Sequence, residues 1–494
     1  MTRILGTETE FGVAVKNSAM PDPVSNAIFI VNSHPAQEPV LWDYSNENPL
    51  LDARGYEIEG ERERPGPEYN RLLNKPLNNG GRLYVDGAHP EYATPECSDA
   101  RMLVQYEKAG EQIIAQALHQ ANLRLQPQEG FSIYKNNTDG KGNSYGYHEN
   151  YWVSRHVPFD TLIAQMTPFL ITRQIFAGAG KVGAENRTDP ARYQISQRAD
   201  FFETWVDLNT MMKRPIINTR DEPHCDARGR RFHVIVGDAN MSEVSTYLKT
   251  GTTALVLDMI EAGVFVKGVE IDNPIQEIKQ ISRDLTLRQT VRLSSGARWR
   301  ALDIQRAYLE AAQTHYSRET DPQTHEMLSR WQDVLEILAD DPMRLSDALD
   351  WVIKKRFIES YMERKGCSWQ DPRVAMLDLQ YHDMDPDKGL YFVIQRRGQV
   401  KRLISDEEVH RAQNLPPEST RAYFRGHCLS QFAKQVHMVS WTSVVFRCDT
   451  GMKRVPLMDP LRGTRALVGP VLEQSSTVEA LLGHIGAPVS TASG

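Results

Sequence analysis

The run Arg82-Leu83-Tyr84-Val85-Asp86 constrains the chain most, because strict alternation over five residues admits a strand with two unlike faces. Leu83 and Val85 point one way, and Arg82, Tyr84 and Asp86 point the other. Gly87, Ala88 and Pro90 then turn the chain, and Glu91 and Glu96 follow within a few residues. A strand with an apolar back and a cation, a phenol and a carboxylate on its front either faces water or holds something charged. A second stretch, Ile4–Val15, has strand-favouring composition, and its Glu8 and Glu10, two apart, share one face. Like charges side by side are costly unless water or a cation offsets them. Carboxylates converging from separate strands suit Mg²⁺, a hard ion that takes oxygen ligands and commonly shares them with phosphates.

The 494 residues allow one large domain and a small one. A hydrophobic share of 40% and a charged share of 24% are those of a globular enzyme. The net charge of −7 argues against general nucleic-acid binding, though not against a local basic groove for an acidic partner. The five cysteines (Cys97, Cys225, Cys367, Cys428, Cys448) are widely spaced and form no CxxC pair, so neither zinc nor a disulfide framework is indicated. A reducing cytoplasm is the expected location. No signal peptide and no membrane span are expected. The most apolar run, Thr252–Val266, is interrupted by Asp258 and Glu261.

Along the chain, residues 17–81 read as a long irregular segment rich in Pro, Asn and Gly, expected to form a lid or specificity loop near the site. Apolar spacing predicts a helix over Met102–Leu125 and a strand at Phe131–Lys135. Lys135–Arg155, dense in Asn, Gly and Tyr, reads as a loop that could surround a ligand with polar groups, among them His148, Glu149 and Asn150. Gly178–Gly183 spells G-x-G-x-x-G, but Pro190 follows and no helix opens, so the phosphate-binding geometry is missing. Arg220, Arg230 and Arg231 flank a strand pattern around His233 and offer fixed positive charge. Helical stripes are expected over Thr246–Ala262 and from Leu302 to Phe357, a linker at Asn414–Thr420, and strands such as Val439–Arg447, carrying Trp441, before a terminal helix. The tail Pro488–Gly494 is expected to be disordered.

In this order, GTETEFG, RLYVDGAHPEYATPEC, KNNTDGKGNSYGYHENY, INTRDEPH and HVIVGDANMSE resemble the family of Pup ligases and depupylases, from Arg3 to about Leu472. Pup is a small prokaryotic ubiquitin-like protein. One branch of the family attaches it to lysines with ATP. The other removes it and deamidates its C-terminal Gln to Glu. This chain resembles the removing branch in its long insertion containing WDYSNENPLLDARG, in a VDGAHPEY one residue shorter than the ligase-like form, and in TRAYFRG and MDPLRG near the end.

The resemblance implies an α+β fold, a glutamine-synthetase-like (carboxylate–amine ligase) antiparallel sheet with packed helices over residues 1–415, and a small C-terminal α/β domain over 416–494. It implies that Glu8, Tyr84 and Glu91 match magnesium positions, that Arg82, Thr94 and Trp441 match nucleotide-contacting positions, and that Asp86 matches the catalytic aspartate. Glu10, Glu149 and His233 are further metal candidates by residue type and placement. The implied cofactors are Mg²⁺ and an ATP that is bound without stoichiometric consumption. The implied partners are Pup, pupylated proteins and, functionally, the bacterial proteasome. A ligase, an idle Pup-binding scaffold and a small-molecule carboxylate–amine ligase are the alternative readings. Spared from a scaffold's needs, the repelling pair Glu8 and Glu10 argues for chemistry.

Overall fold

A computed structural model describes residues 3–17, 22–35, 38–60, 64–210, 213–486 and 490–491. Its centre is a six-stranded antiparallel sheet. In chain order its strands are β1 (Leu5–Glu10), β2 (Asn74–Pro76), β3 (Arg82–Asp86), β4 (His89–Ala93), β5 (Tyr147–Ser154) and β6 (Gly229–Val234), arranged in space as β6-β5-β1-β4-β3-β2. The alternation at 82–86 is that of β3, with Leu83 in the core. The two turn residues Gly87 and Ala88, Gly87 at a φ of 54°, close the β3–β4 hairpin, and Pro90 falls inside β4. The N-terminal strand stretch breaks at Phe11. Gly12–Lys16 leaves the sheet to pair with Gly130–Tyr134.

Side chains alternate across the sheet. One face of β1 and β5 carries Leu5, Thr7, Tyr147, Tyr151 and Val153, all buried beneath the helices Ala100–Asn122 and Glu243–Glu261. The first helix begins where Asp99 accepts a hydrogen bond from the Met102 N–H at 2.8 Å, and the second where Ser242 accepts one from Ser245. Gly110 lets the first helix sit directly on β4, since a Cβ there would overlap the Tyr92 ring. Further helices, Ala301–His315, Pro322–Asp340 and Asp350–Lys365, extend this core around Trp331 and Trp351, as their apolar stripes predict.

A second sheet gathers Val436–Val439, Ser443–Cys448, Gly451–Pro456 and Ser490–Thr491. Its fifth strand is Leu41–Trp42, parallel to Val436–Val439, so a piece of the N-terminal insertion completes a sheet built near the other end of the chain. Trp42 shares a core there with Phe424, Leu429, Phe432, Val444 and Leu481.

Several expectations are corrected. Residues 17–81 are no structureless loop: their described parts form the helices Pro23–Ser33 and Pro67–Leu73 and the strand β2, among shorter elements. The second half of Lys135–Arg155 is the eight-residue strand β5, in the middle of the sheet. Trp441 lies in the turn between two strands, because pairing stops at Val439 and resumes at Ser443. The linker at 414–420 is anchored, with the Thr420 hydroxyl donating to the Glu96 carbonyl at 2.8 Å. Of the tail at 488–494, only residues 490–491 are described, and these pair with Lys453 and Arg454. No helix among the described residues is long and apolar enough to cross a membrane.

Candidate active site

The face of the sheet away from the helices carries the polar residues of five strands. β1 supplies Glu8 and Glu10, β3 supplies Arg82, Tyr84 and Asp86, β4 supplies Glu91, β5 supplies His148 and Asn150, and β6 supplies Arg231 and His233. Register brings them together: Glu10 stands opposite Glu91, Glu91 opposite Tyr84, Glu8 opposite His148, and Asn150 opposite His233. Two clusters result, each with its ligand-capable atoms within 4.8 Å of one another. One is Glu10, Asp86 and Glu91; the other is Glu8, His148 and His233.

The first cluster is an all-oxygen set with no guanidinium or ammonium bonded to it among the described residues. Glu91 is buried, its Oε2 has no hydrogen-bond partner, and the Tyr84 hydroxyl lies against its carboxyl. Burial, then the charges of Asp86, Glu10 and Glu8, push the Glu91 pKa well above the carboxylate range. Asp86 ends β3 as its exposed residue. Desolvation there and the charge of Glu10 raise its pKa as well. For Glu10, burial is outweighed by the hydrogen bond from His89, whose Nδ1 is 3.1 Å away, and the pKa is lowered. The His89 ring stacks on Tyr145, with centroids 4.6 Å apart. Gly146 leaves room for this arrangement, since a Cβ there would strike both Glu10 and His148. Three carboxylates and a phenol converging around an orphaned oxygen fit Mg²⁺, which prefers hard oxygen donors.

In the second cluster Glu8 is already well partnered. Asn150 Nδ2 donates to it at 3.0 Å, His148 Nδ1 lies at 3.3 Å and Arg231 Nη1 at 3.4 Å. Burial alone would raise the Glu8 pKa, but the His148 hydrogen bond and the His233 and Arg231 charges hold it well below the usual range. Burial and the Arg231 charge push the His233 pKa well down, and an imidazole in its neutral form can ligate a cation. The expected magnesium residues are therefore shared between the clusters, Glu8 in one and Tyr84 with Glu91 in the other.

Beside Glu8 opens a cleft. Its walls include Thr94 and Glu96 from beyond β4, His224, Arg231, and Arg421 and Trp441 from the C-terminal part. Thr94 Oγ1 accepts from the Thr7 N–H at 3.0 Å. Trp441 meets Trp42 edge-on, with centroids 5.1 Å apart. His224 holds a left-handed φ of 46°, a strained conformation for a residue with a side chain, and burial pushes its pKa well down. Thr94 and Trp441 thus share one cleft. Arg82 does not line it. Its guanidinium is sandwiched between the Trp42 and Tyr84 rings, 4.0 Å from each centroid, and Arg82 Nε donates to Asn74 at 2.9 Å.

Glu149 requires a correction. It lies on the covered face of β5, wholly buried, where Arg173 Nη2 donates to it at 2.6 Å and the Tyr151 hydroxyl at 2.6 Å. Period-two geometry turns it away from its neighbours His148 and Asn150. The residues that sequence reasoning left in the background are His89, which orients Glu10, and Trp42, which packs on both Arg82 and Trp441. For His89 a signal existed, because a two-residue turn after Asp86 places it directly opposite Asp86.

This sheet, with its acidic open face and adjoining two-walled cleft, has the mixed helix-and-sheet fold of a Pup ligase. It aligns with the crystal structure of the complex between the prokaryotic ubiquitin-like protein Pup and its ligase PafA, at a TM-score of 0.81 and 34% identity, covering 98% of this chain and 94% of that one. A second structure, PafA in complex with ADP, aligns at 0.74 and 36% identity, covering 84% and 97%. The chain belongs to the Pup-ligase protein family, which it matches over residues 3–445. Among curated relatives, a protein named depupylase from Acidothermus cellulolyticus is 45% identical over 98% of this chain and 99% of its own length. A Pup deamidase/depupylase from Mycolicibacterium smegmatis is 44% identical over 97% and 99%. A Pup–protein ligase from Nakamurella multipartita is 40% identical over 95% and 99%.

Proposed function

We propose that this chain is a Pup deamidase and depupylase, hydrolysing the C-terminal Gln amide of Pup and the isopeptide bond between Pup and a target lysine. The observation that carries the reading is likeness along nearly the whole length of both chains to proteins of that name. Asp86 is the residue we assign to the chemistry. It stands exposed at the lip of the acidic cluster, where a substrate carbonyl can approach. Its carboxylate either attacks the side-chain carbonyl, giving a mixed anhydride that water then opens, or takes a proton from the attacking water. Both routes add one water across the C–N bond and release ammonia or the target amine. Label appearing in Asp86 after a single turnover in ¹⁸O-water would identify the anhydride route, since the general-base route never labels Asp86.

Glu10, Glu91 and Tyr84 are the groups that would hold magnesium beside Asp86, with Glu8, His148 and His233 as a second set. Bound there, the ion would offset charge on phosphate and on the developing oxyanion. Thr94 and Trp441 belong to the proposed nucleotide cleft, with ATP bound and not consumed in step with product. The same proposal includes a glutamine-synthetase-like catalytic part over 1–415, a small C-terminal α/β part over 416–494, and action in the cytoplasm on proteins marked for the bacterial proteasome. A ligase reading is favoured by one observation, that the two aligned structures of high similarity are ligases.

The deciding experiment incubates the protein with Mg-ATP and either Pup ending in Gln or a purified conjugate. Mass spectrometry follows Pup while ADP is measured in parallel. Pup ending in Glu and freed target, with ADP far below product, is the expected result. New conjugate with matching ADP would move the chain to the ligase branch.

A further inference from the structure

Glu96 stands apart from the acidic cluster and gathers two guanidinium groups. Its Oε1 accepts from Arg421 Nε at 2.6 Å and its Oε2 from Arg425 Nη2 at 2.5 Å. All three side chains are largely withdrawn from water. The paired arginines pull the Glu96 pKa down to about 2 against the cost of its burial. Both arginines come from the start of the helix Ala422–Gln431. Arg425 uses its whole fork: Nε and Nη2 donate to the Gly80 carbonyl at 3.0 and 2.7 Å, and Nη1 donates to the Trp441 carbonyl at 3.1 Å. Its guanidinium also lies 5.0 Å from the centre of the Trp441 ring. Arg421 Nη1 reaches the Leu457 carbonyl at 2.8 Å. Gly80 and Glu96 flank the β3–β4 hairpin, whereas Trp441 and Leu457 border the second sheet. One buried carboxylate and two forks therefore fasten together the two walls of the cleft.

Trp441 needs such a fastening. It lies in the turn at 440–442, where strand pairing has lapsed, so the sheet ladder does not fix it. Its backbone carbonyl and its ring are both held by one guanidinium, and Trp42 supports the ring from its edge. We infer that Arg425, anchored by Glu96, is the positioning residue that sets Trp441 as a preformed wall for a nucleotide base. The inference rests on reading the cleft as the nucleotide site. A wall held before the ligand arrives lowers the ordering cost of binding. Neither Glu96 nor Arg425 bonds Glu10, Asp86 or Glu91, so loss of the brace acts on binding and leaves the chemistry of bound substrate intact.

The test uses the full chain with Arg425→Met, which keeps the length and apolar contact of the side chain and removes its fork. ADP binding in the presence of magnesium is measured by calorimetry, and ATP is varied at saturating conjugate in the activity assay. The dissociation constant for ADP and the KM for ATP are expected to rise about tenfold, with kcat changing less than about twofold. The thermal upshift on adding a fixed ADP concentration shrinks accordingly. Adding Glu96→Gln to Arg425→Met should cost little further nucleotide affinity, since the two act as one unit. If Arg425→Met does not fold, as circular dichroism without nucleotide will show, Arg425→Lys gives the same readout, because it keeps the charge beside Glu96 but cannot reach Gly80 and Trp441 together. An unchanged ADP affinity in a folded variant, or a fall in kcat at constant KM, overturns the inference. Failure of the wild-type chain to bind ADP would instead remove the reading of the cleft itself.

Discussion

The two faces of the central sheet treat carboxylates in opposite ways. On the covered face every acid has a cation. Glu149 is bonded by Arg173, and Glu107 and Glu111 on the overlying helix share the Lys135 ammonium, at 2.7 and 2.8 Å. On the open face, Glu10, Asp86 and Glu91 have chiefly one another, with His89 the nearest compensating group. Glu91 is as deeply buried as Glu107, Glu111 and Glu149, while Glu10 is half-buried and Asp86 exposed, so burial alone does not mark the site. A fold spends its cations where charges must be locked away, and leaves like charges facing each other where something from outside completes the set.

The comparison can be broken at several points. The largest effect is expected on the open face. Asp86→Asn should lower deamidation about 10³-fold with unchanged melting temperature and ADP binding, measured by single-turnover mass spectrometry. Full retained activity would remove Asp86 from the chemistry. Next comes Glu149→Gln, which unpairs a buried Arg173. Denaturant unfolding should register a loss of about 3–5 kcal/mol, with the magnesium requirement of the surviving folded enzyme unaltered. A shifted magnesium requirement would restore Glu149 as a ligand.

Glu96 lies between these extremes, paired like the covered acids yet bordering the cleft. Its folded-state pKa of about 2 lies below the ordinary 4.5, so its contribution is complete above about pH 4.5 and lost as pH falls toward 2. The stability gap between wild type and Glu96→Gln should be about 3 kcal/mol near pH 7 and close progressively between pH 4.5 and 2, as followed by urea titrations across that window. A gap constant with pH would mean that the pair matters by packing alone. The smallest effect is expected outside both faces. The exposed pair of Arg344 with Asp340, at 2.7 Å, should be worth under about 0.5 kcal/mol by Arg344→Ala.

How much of this could be read beforehand depended on whether parity was visible. At Arg82–Asp86 and Glu8–Glu10 the alternation stands in the open, and both stretches are strands with the expected residues on one face. At 147–154 the same parity is hidden. Tyr, His, Asn and Ser have the composition of a loop, and three of the four residues on the covered face are two tyrosines and a glutamate, with Val153 the one aliphatic. Without the strand, His148, Glu149 and Asn150 look like equal neighbours. With it, the middle one must face the other way. The placement of Arg82 away from the cleft, and of Trp441 in a turn and not on a strand, was hidden for a different reason. Where they sit is decided by Trp42 and Arg425, both remote from them in sequence or on another element, and no local pattern announces such contacts. The segment 17–81 was misjudged because its strand Leu41–Trp42 is only two residues long and finds its partner far away.

That partnership has a consequence for the making of the protein. Asp43 and Ser443, which meet in the second sheet, are 400 positions apart in the chain. At a synthesis rate of about 5–20 residues per second, residues 41–43 leave the ribosome roughly 20–80 s before the strand they join exists. Throughout that interval Trp42 has no core to enter, and the cleft has only the wall that Thr94 provides. A growing chain can thus assemble its acidic face early, while the second wall of the cleft arrives only as the last sheet closes.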